Sequence, residues 1–347
     1  MSGPELRIDL DAFAANLRVV RARVAPAHLM LVVKDDAYGH GLDRMVAKAA
    51  AEGVEWFGAF DLQEALATRA AAGPDARVFS WLTVGSDQIA GALAHDIDFG
   101  VGDAGFLEDI ASAAGAAGAA ARVHLKIDTG LHRNGIRPED WDRVIARARD
   151  FEKAGLIRVV GVWSHIAEAS DEEDDSARLV FDDAVAAAEA AGFELEARHL
   201  SASAASFARP EFRYGLVRVG AFCYGIRSTG GPAESELGVR PVASLVAPVT
   251  HVGDYAVTVG VGSLHGLPSS LAKRATFATD GHRRAVQHID AAHSAVEPWR
   301  GPSLGDEVTI FGVGASSATD LAEAIGTVGE EILVRVSPLV PRSYRDA

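Results

Sequence analysis

The sequence predicts an α/β fold, a (β/α)8 barrel of the TIM type followed by a β-rich C-terminal domain. Three observations carry that prediction. Eight short apolar, β-prone runs recur over about 220 residues, most of them separated by Ala-rich helical patterns. From Gly238 onward β-branched residues dominate and helical patterns almost stop. Between the two regimes lies 225–235 (GIRSTGGPAES), a Gly/Pro/Ser segment suited to a linker.

Taken in order, 10–24 reads as a helix ahead of the first strand. Strands are expected at 29–34, 56–60, 77–82, 97–101, 122–127, 159–164, 195–200 and 216–220. Helices are expected at 43–52, 61–72, 103–116, 138–154 and 176–191. A doubly wound open sheet is the competing arrangement for such alternation. In the tail, PVASLVAPVTHV, YAVTVGVG, DEVTIFG and EEILVRV read as strands, and only 318–326 reads as a helix. The expected domains are therefore 1–230, the barrel, and 231–347, the β-rich domain.

Composition narrows the function. A formal net charge of −15 leaves no clustered Lys and Arg for a phosphate backbone, so nucleic acid is not an expected partner. No run approaches a membrane span. The N-terminal MSGPELRIDL lacks the basic and apolar regions of a secretory leader, and a cytoplasmic location is expected. A single cysteine, Cys223, excludes a disulfide framework within the chain; it sits in an apolar stretch and reads as a buried small hydrophobe. The acidic run 170–175 reads as a solvated helix start.

In such barrels the chemistry gathers at the carboxyl ends of the strands. Polar residues there are few: Lys34, Lys126, Ser164-His165, His199-Leu200-Ser201-Ala202-Ser203, and Arg218 ahead of Gly220. The set is rich in cations and hydroxyls and suits an anionic, phosphorylated ligand. A strand-end lysine in a pocket can form a Schiff base with an aldehyde. Together these suggest pyridoxal phosphate. Each residue also has a plainer reading: a solvated cap for the lysines, a satisfied core histidine for His165, a structural ion pair for Arg218.

Lys34 followed by Ala37-Tyr38-Gly39-His40-Gly41 resembles the cofactor-lysine motif of alanine racemases, V-K-A-N-A-Y-G-H-G. Four more segments resemble that family in order and spacing. They are Lys126-Ile127-Asp128-Thr129-Gly130 with Arg133 and Gly135, Trp163-Ser164-His165-Ile166-Ala167, His199 to Ala205, and Val217-Arg218-Val219-Gly220 running to Tyr224-Gly225. The resemblance implies a pyridoxal 5'-phosphate isomerase that interconverts L- and D-amino acids. Lys34 would hold the cofactor as a Schiff base and act as one catalytic base. Tyr38 would lie beside the phosphate, held by Ser203 and the backbone of Gly220 and Ala221. Arg133 would bond the phenolic oxygen, His165 would flank the ring, and Arg218 would face the ring nitrogen. The resemblance also implies a homodimer with active sites at the subunit interface.

The resemblance breaks in the tail. The family's second base is a tyrosine in a V-S-Y-G segment, and no such segment lies between Thr250-His251-Val252 and Gly262-Ser263-Leu264-His265-Gly266-Leu267-Pro268. Tyr255, His265 and His293 are the substitutes on offer, and with Lys126 they make up the expected substrate-side set. Two other readings stay open. One is a lyase of the same fold acting on D-hydroxy amino acids, with His288, Asp290 and His293 as a metal cluster, although a solvated loop is the plainer reading and no metal is assigned. The other is a pyridoxal phosphate binding protein without turnover.

Overall fold

The computed structural model describes residues 3–168 and 170–346. The chain divides into two compact units. One comprises Val20–Lys34 and Leu42–Gly220; the other comprises Met1–Val19, Asp35–Gly41 and Ala221–Ala347. The units thus interleave along the chain.

The strands are β1 (Glu5–Asp9), β2 (His28–Val32), β3 (Trp56–Ala59), β4 (Arg77–Ser80), β5 (Ile97–Val101), β6 (Ala121–Lys126), β7 (Ile157–Trp163), β8 (Ala197–His199), β9 (Leu216–Val219), β10 (Ala243–Val252), β11 (Val257–Val259), β12 (Thr276–Thr279), β13 (His282–Ile289), β14 (Ser294–Val296), β15 (Glu307–Phe311) and β16 (Arg342–Arg345).

In the first unit β2 to β9 form the eight-stranded parallel barrel, in the order β8-β7-β6-β5-β4-β3-β2-β9. β2 pairs in parallel with both β3 and β9, with Met30 opposite Trp56 and Arg218. Arg218 N–H donates to Ser201 O at 3.3 Å, linking β9 towards β8. Every expected barrel strand has its counterpart. The reason is burial: β2 is buried at every position from Leu29 to Val32, so the run is apolar throughout rather than alternating. Helices follow the strands, and side chains cap them. Asp61 accepts from Glu64 N, Asp103 from Phe106 N and Ser170 from Glu173 N, each satisfying a free donor of the first turn. Met30, Phe79, Trp163, Ala197 and Leu216 pack in the interior with Trp56 and Trp81 against them.

The second unit holds a sheet ordered β11-β14-β13-β12-β15-β10-β1-β16, with a further β10–β11 pairing. The N-terminal strand belongs here: β1 pairs antiparallel with β10 and parallel with β16, and its alternate residues Leu6 and Ile8 are buried. One expectation fails. EEILVRV, read as a strand, forms the helix Gly329–Val334. Glu330 and Glu331 suit its first turn, and Ile332, Leu333 and Val336 are buried at helical spacing, which overrides β-propensity.

Between the end of β2 and the helix Leu42–Ala51 the backbone turns left-handed. Asp35, Asp36, Ala37 and Tyr38 all have φ between 53° and 56° and ψ between 39° and 51°. Four consecutive non-glycine residues there cost on the order of 4–8 kcal/mol. The second unit holds them in place. His40 Nδ1–H donates to Ala37 O and Tyr38 O, and Tyr344 Oη donates to His40 O at 3.0 Å. The Tyr224 ring lies 5.0 Å from those of Tyr38 and His40.

Candidate active site

The barrel unit gathers five cationic or ionisable side chains at its strand ends. Lys34 stands two residues beyond β2 and is half-buried. Lys126 ends β6, is buried, and holds its ammonium 4.6 Å from the Trp163 ring centroid. Burial, then the charges of Arg133 and Arg218, push the Lys126 pKa down to about 8, against a smaller opposing pull from Asp128.

Arg133 rides on a loop whose shape is dictated by Asp128. That carboxylate accepts from Gly130 N, His132 N and His132 Nδ1. Burial would raise the Asp128 carboxyl, but these bonds hold it below the usual range. Gly135 is required at the loop's return: its φ is 138°, and a Cβ there would lie 2.7 Å from Asp128 N.

Arg218 is buried in β9 and its terminal amino groups are committed to protein acceptors. Nη1 donates to His199 O at 2.8 Å and meets His199 Nδ1 at 3.0 Å. Nη2 donates to Ser164 O at 2.7 Å and Leu200 O at 2.8 Å, and meets His165 Nδ1 at 3.2 Å. Burial, then the charge of Arg133, push its pKa down to about 9, which leaves it protonated near neutral pH. His165 answers with the opposite state. Burial, then the charges of Arg218, Arg133, Lys126 and Lys34, push its pKa down to about 3. It is a neutral imidazole with Nδ1 as acceptor, because a guanidinium only donates.

Ser203 opens the helix Ser203–Ala208 and is half-buried; Gly220 follows β9. Ser201 Oγ is fully buried and has no hydrogen-bond partner among the described residues. An orphaned hydroxyl amid these cations fits an anionic phosphorylated ligand.

The other expected residues fall in the second unit. Tyr38 and Ala221 are buried there. His265 lies in a single 3-10 turn, and its Nδ1 accepts from Gly262 N at 3.0 Å. Burial, then His293, lower its pKa. Tyr255 is 89% exposed at the tip of the β10–β11 turn, where Gly253 N donates to Ala256 O. His288 and Asp290 pair with each other at 2.8 Å, and among the described residues no group of three His, Cys, Asp or Glu side chains is placed to hold a metal ion.

Family models for the alanine racemase N-terminal and C-terminal domains match residues 8–228 and 249–344. The chain belongs to the alanine racemase family. Alanine racemase of Thermobifida fusca is 35% identical over 379 residues, spanning 99% of this chain and 98% of that protein. That of Beutenbergia cavernae is 36% identical, covering 98% of both. The crystal structure of alanine racemase from a D-cycloserine producing Streptomyces lavendulae superposes with a TM-score of 0.94 at 33% identity, over 100% of this chain and 98% of that one. Enzymes of the alanine racemase family use pyridoxal 5'-phosphate, and the cationic cluster with the orphaned Ser201 hydroxyl fits that group. The alignment to the Thermobifida alanine racemase runs to 379 positions against 347 residues here, so at least 32 of them have no counterpart in this chain.

Two residues lined up behind this site, Asp98 and His124, carry no signal in the sequence analysis, where His199 stands only among the polar strand ends. Both are buried within strands, where single polar letters inside apolar runs look unremarkable. What sets them apart is position: each faces the barrel interior, where an aliphatic residue is the default.

Proposed function

We propose that this chain interconverts the L and D forms of a small amino acid at Cα, with pyridoxal phosphate carried on Lys34. The observation that carries the reading is Arg218, a buried guanidinium whose terminal donors are all spent on protein and whose Nε–H has no acceptor among the described residues. The cofactor, when bound, supplies an electron sink that acidifies the Cα hydrogen. The protein's own groups do the rest.

Lys34 holds the group and moves the proton on one face of Cα. Arg218 offers a ring nitrogen a donor that keeps its proton, so that nitrogen stays unprotonated and the sink stays weak. Proton exchange is then favoured over transamination. Neutral His165 flanks the ring without adding charge. Arg133 serves the phenolic oxygen. Ser203, Tyr38 and the backbone N–H groups of Gly220 and Ala221 serve the phosphate. Lys126, titrating near pH 8, offers a positive charge for the substrate carboxylate.

For the second face we assign His265 ahead of His293 and Tyr255. The Gly262 N–H occupies its Nδ1, so Nε2 is the nitrogen that exchanges a proton. A homodimer in the cytoplasm is part of the same proposal. Gel filtration of the loaded protein as a monomer would refute the assembly.

Solvent deuterium incorporation at Cα, across a panel of L- and D-amino acids, tests the activity. Exchange with inversion is expected, and no exchange on any substrate sinks the isomerase reading. Exchange with retention would mean that one base works alone. The tight turn at 253–256, which leaves no room for a tyrosine-bearing strand, favours that second reading. Lys34→Ala is expected to lose the absorbance band of lysine-bound cofactor.

A further inference from the structure

A polar chain crosses the barrel unit below Arg218. Asp98 Oδ2 lies 3.2 Å from His124 Nε2, and His124 Nδ1 lies 3.0 Å from His199 Nε2. His199 Nδ1 in turn lies 3.0 Å from Arg218 Nη1. Asp98, His124 and His199 are fully buried and Arg218 nearly so. The barrel makes room for this: a Cβ on Gly161 would lie 2.2 Å from His124 Nδ1. The rings are also clamped. His199 stacks on Trp163 at 5.8 Å with planes 5° apart, and His124 meets Phe79 edge-on at 5.0 Å.

Donor matching fixes every proton in the chain. Arginine only donates, so His199 Nδ1 accepts. A neutral imidazole that accepts at Nδ1 carries its proton on Nε2. That N–H points at His124 Nδ1, which therefore accepts as well. His124 then carries its proton on Nε2 and donates it to Asp98. With the guanidinium at one end, no other order gives each contact one donor and one acceptor.

The order is anchored at the Asp98 end. Arg77 and Arg122 both pair with this carboxylate, and Arg122 also pairs with Glu196 at 2.6 Å. Burial alone would raise the Asp98 carboxyl, but His124, Arg77 and Arg122 outweigh it and keep it ionised. Burial, then the charge of Arg218, hold the His199 imidazole well below its ordinary range, so it stays neutral. Were Asp98 unable to accept, His124 could carry its proton on Nδ1. The proton of His199 would then be driven onto its own Nδ1, donor against donor with Arg218.

We propose that Asp98 and His124 are positioning residues that hold Arg218 in its ligand-facing orientation by keeping His199 Nδ1 an acceptor. The role rests on the assignment of Arg218 to the cofactor made above.

The test begins on wild-type protein without cofactor, labelled with 15N in its histidine rings. Ring-nitrogen shifts are expected to place the proton on Nε2 of both His124 and His199 near neutral pH. An Nδ1–H tautomer at either residue, or an imidazolium at His199, overturns the proposal. His124→Phe keeps a ring against Phe79 and removes both nitrogens. In that variant His199 is expected to populate both tautomers. The loaded enzyme should lose about tenfold or more in kcat, with a shifted cofactor absorbance, as expected for a lost hydrogen bond to a charged group. A single unchanged His199 tautomer with full kcat overturns the proposal from the other side. If His124→Phe does not fold, the wild-type tautomers decide alone. Failure of the wild type to bind pyridoxal phosphate would refute the functional reading and leave the proton order standing; wrong tautomers in a protein that binds it would refute the positioning role alone.

Discussion

Lys126→Met should stabilise the cofactor-free protein at pH 7. The buried ammonium has its pKa lowered from 10.5 to about 8. At about 1.4 kcal/mol per unit, the folded state carries a penalty of about 3 kcal/mol wherever that lysine is charged in both states. Methionine removes the charge, keeps the length of the stem and retains a sulfur contact to the Trp163 ring. Loss of the cation–π contact at 4.6 Å takes back about 1 kcal/mol. The net gain is about 2 kcal/mol at pH 7. Its pH dependence is diagnostic. Between pH 8 and 10.5 the unfolded chain binds the proton that the folded chain has released, so wild-type stability rises with pH through that window and the advantage of methionine shrinks. Urea unfolding followed by tryptophan fluorescence suits the measurement, because Trp56, Trp81, Trp141 and Trp163 all lie in the barrel unit. A variant less stable at pH 7, or an advantage unchanged from pH 7 to 10.5, would refute the burial argument.

Other consequences are open to the same assay. His165 stays neutral until about pH 3 when folded and takes up a proton near 6.5 when unfolded, so wild type should lose stability relative to His165→Gln as pH falls through that interval. Parallel curves for the two proteins would contradict it. Asp35→Gly, at an exposed residue with φ 56°, should raise stability by about 0.5–1 kcal/mol, the left-handed strain less glycine's entropy; a loss would show that Asp35 does more than bear strain. Gly161→Ala should cost about 1–3 kcal/mol through its clash with His124, and a neutral result would mean the two strands part easily.

The barrel was legible because its strands are covered on both faces, which leaves uninterrupted apolar runs such as Leu29–Val33. The second sheet was harder. β13 carries Arg283, Arg284, Gln287 and His288 on exposed or half-exposed positions and reads as loop, although Asp280-Gly281, both at positive φ, marks its hairpin. At the site, the strand-end cations announced themselves by their places after apolar runs. The proton chain from Asp98 to His199 did not, because only three-dimensional adjacency separates a relay from three isolated polar residues. The left-handed turn at 35–38 was equally silent, since Asp-Asp-Ala-Tyr contains no glycine to advertise positive φ.

That turn has a consequence for the order in which the protein is made. The backbone leaving Lys34 takes a shape it would abandon if released, and its fasteners are remote. Arg342 Nε donates to Gly39 O, and Tyr344 Oη to His40 O, across 303 and 304 residues. Barrel strands β2 to β9 are all translated before either fastener exists. A nascent chain can therefore close its barrel before the lysine's exit path has its last two fasteners, which arrive with β16. Ribosome-stalled chains ending before Arg342 should show a folded barrel with protease-sensitive residues 35–41, and protection there in the stalled chain would refute this order of events.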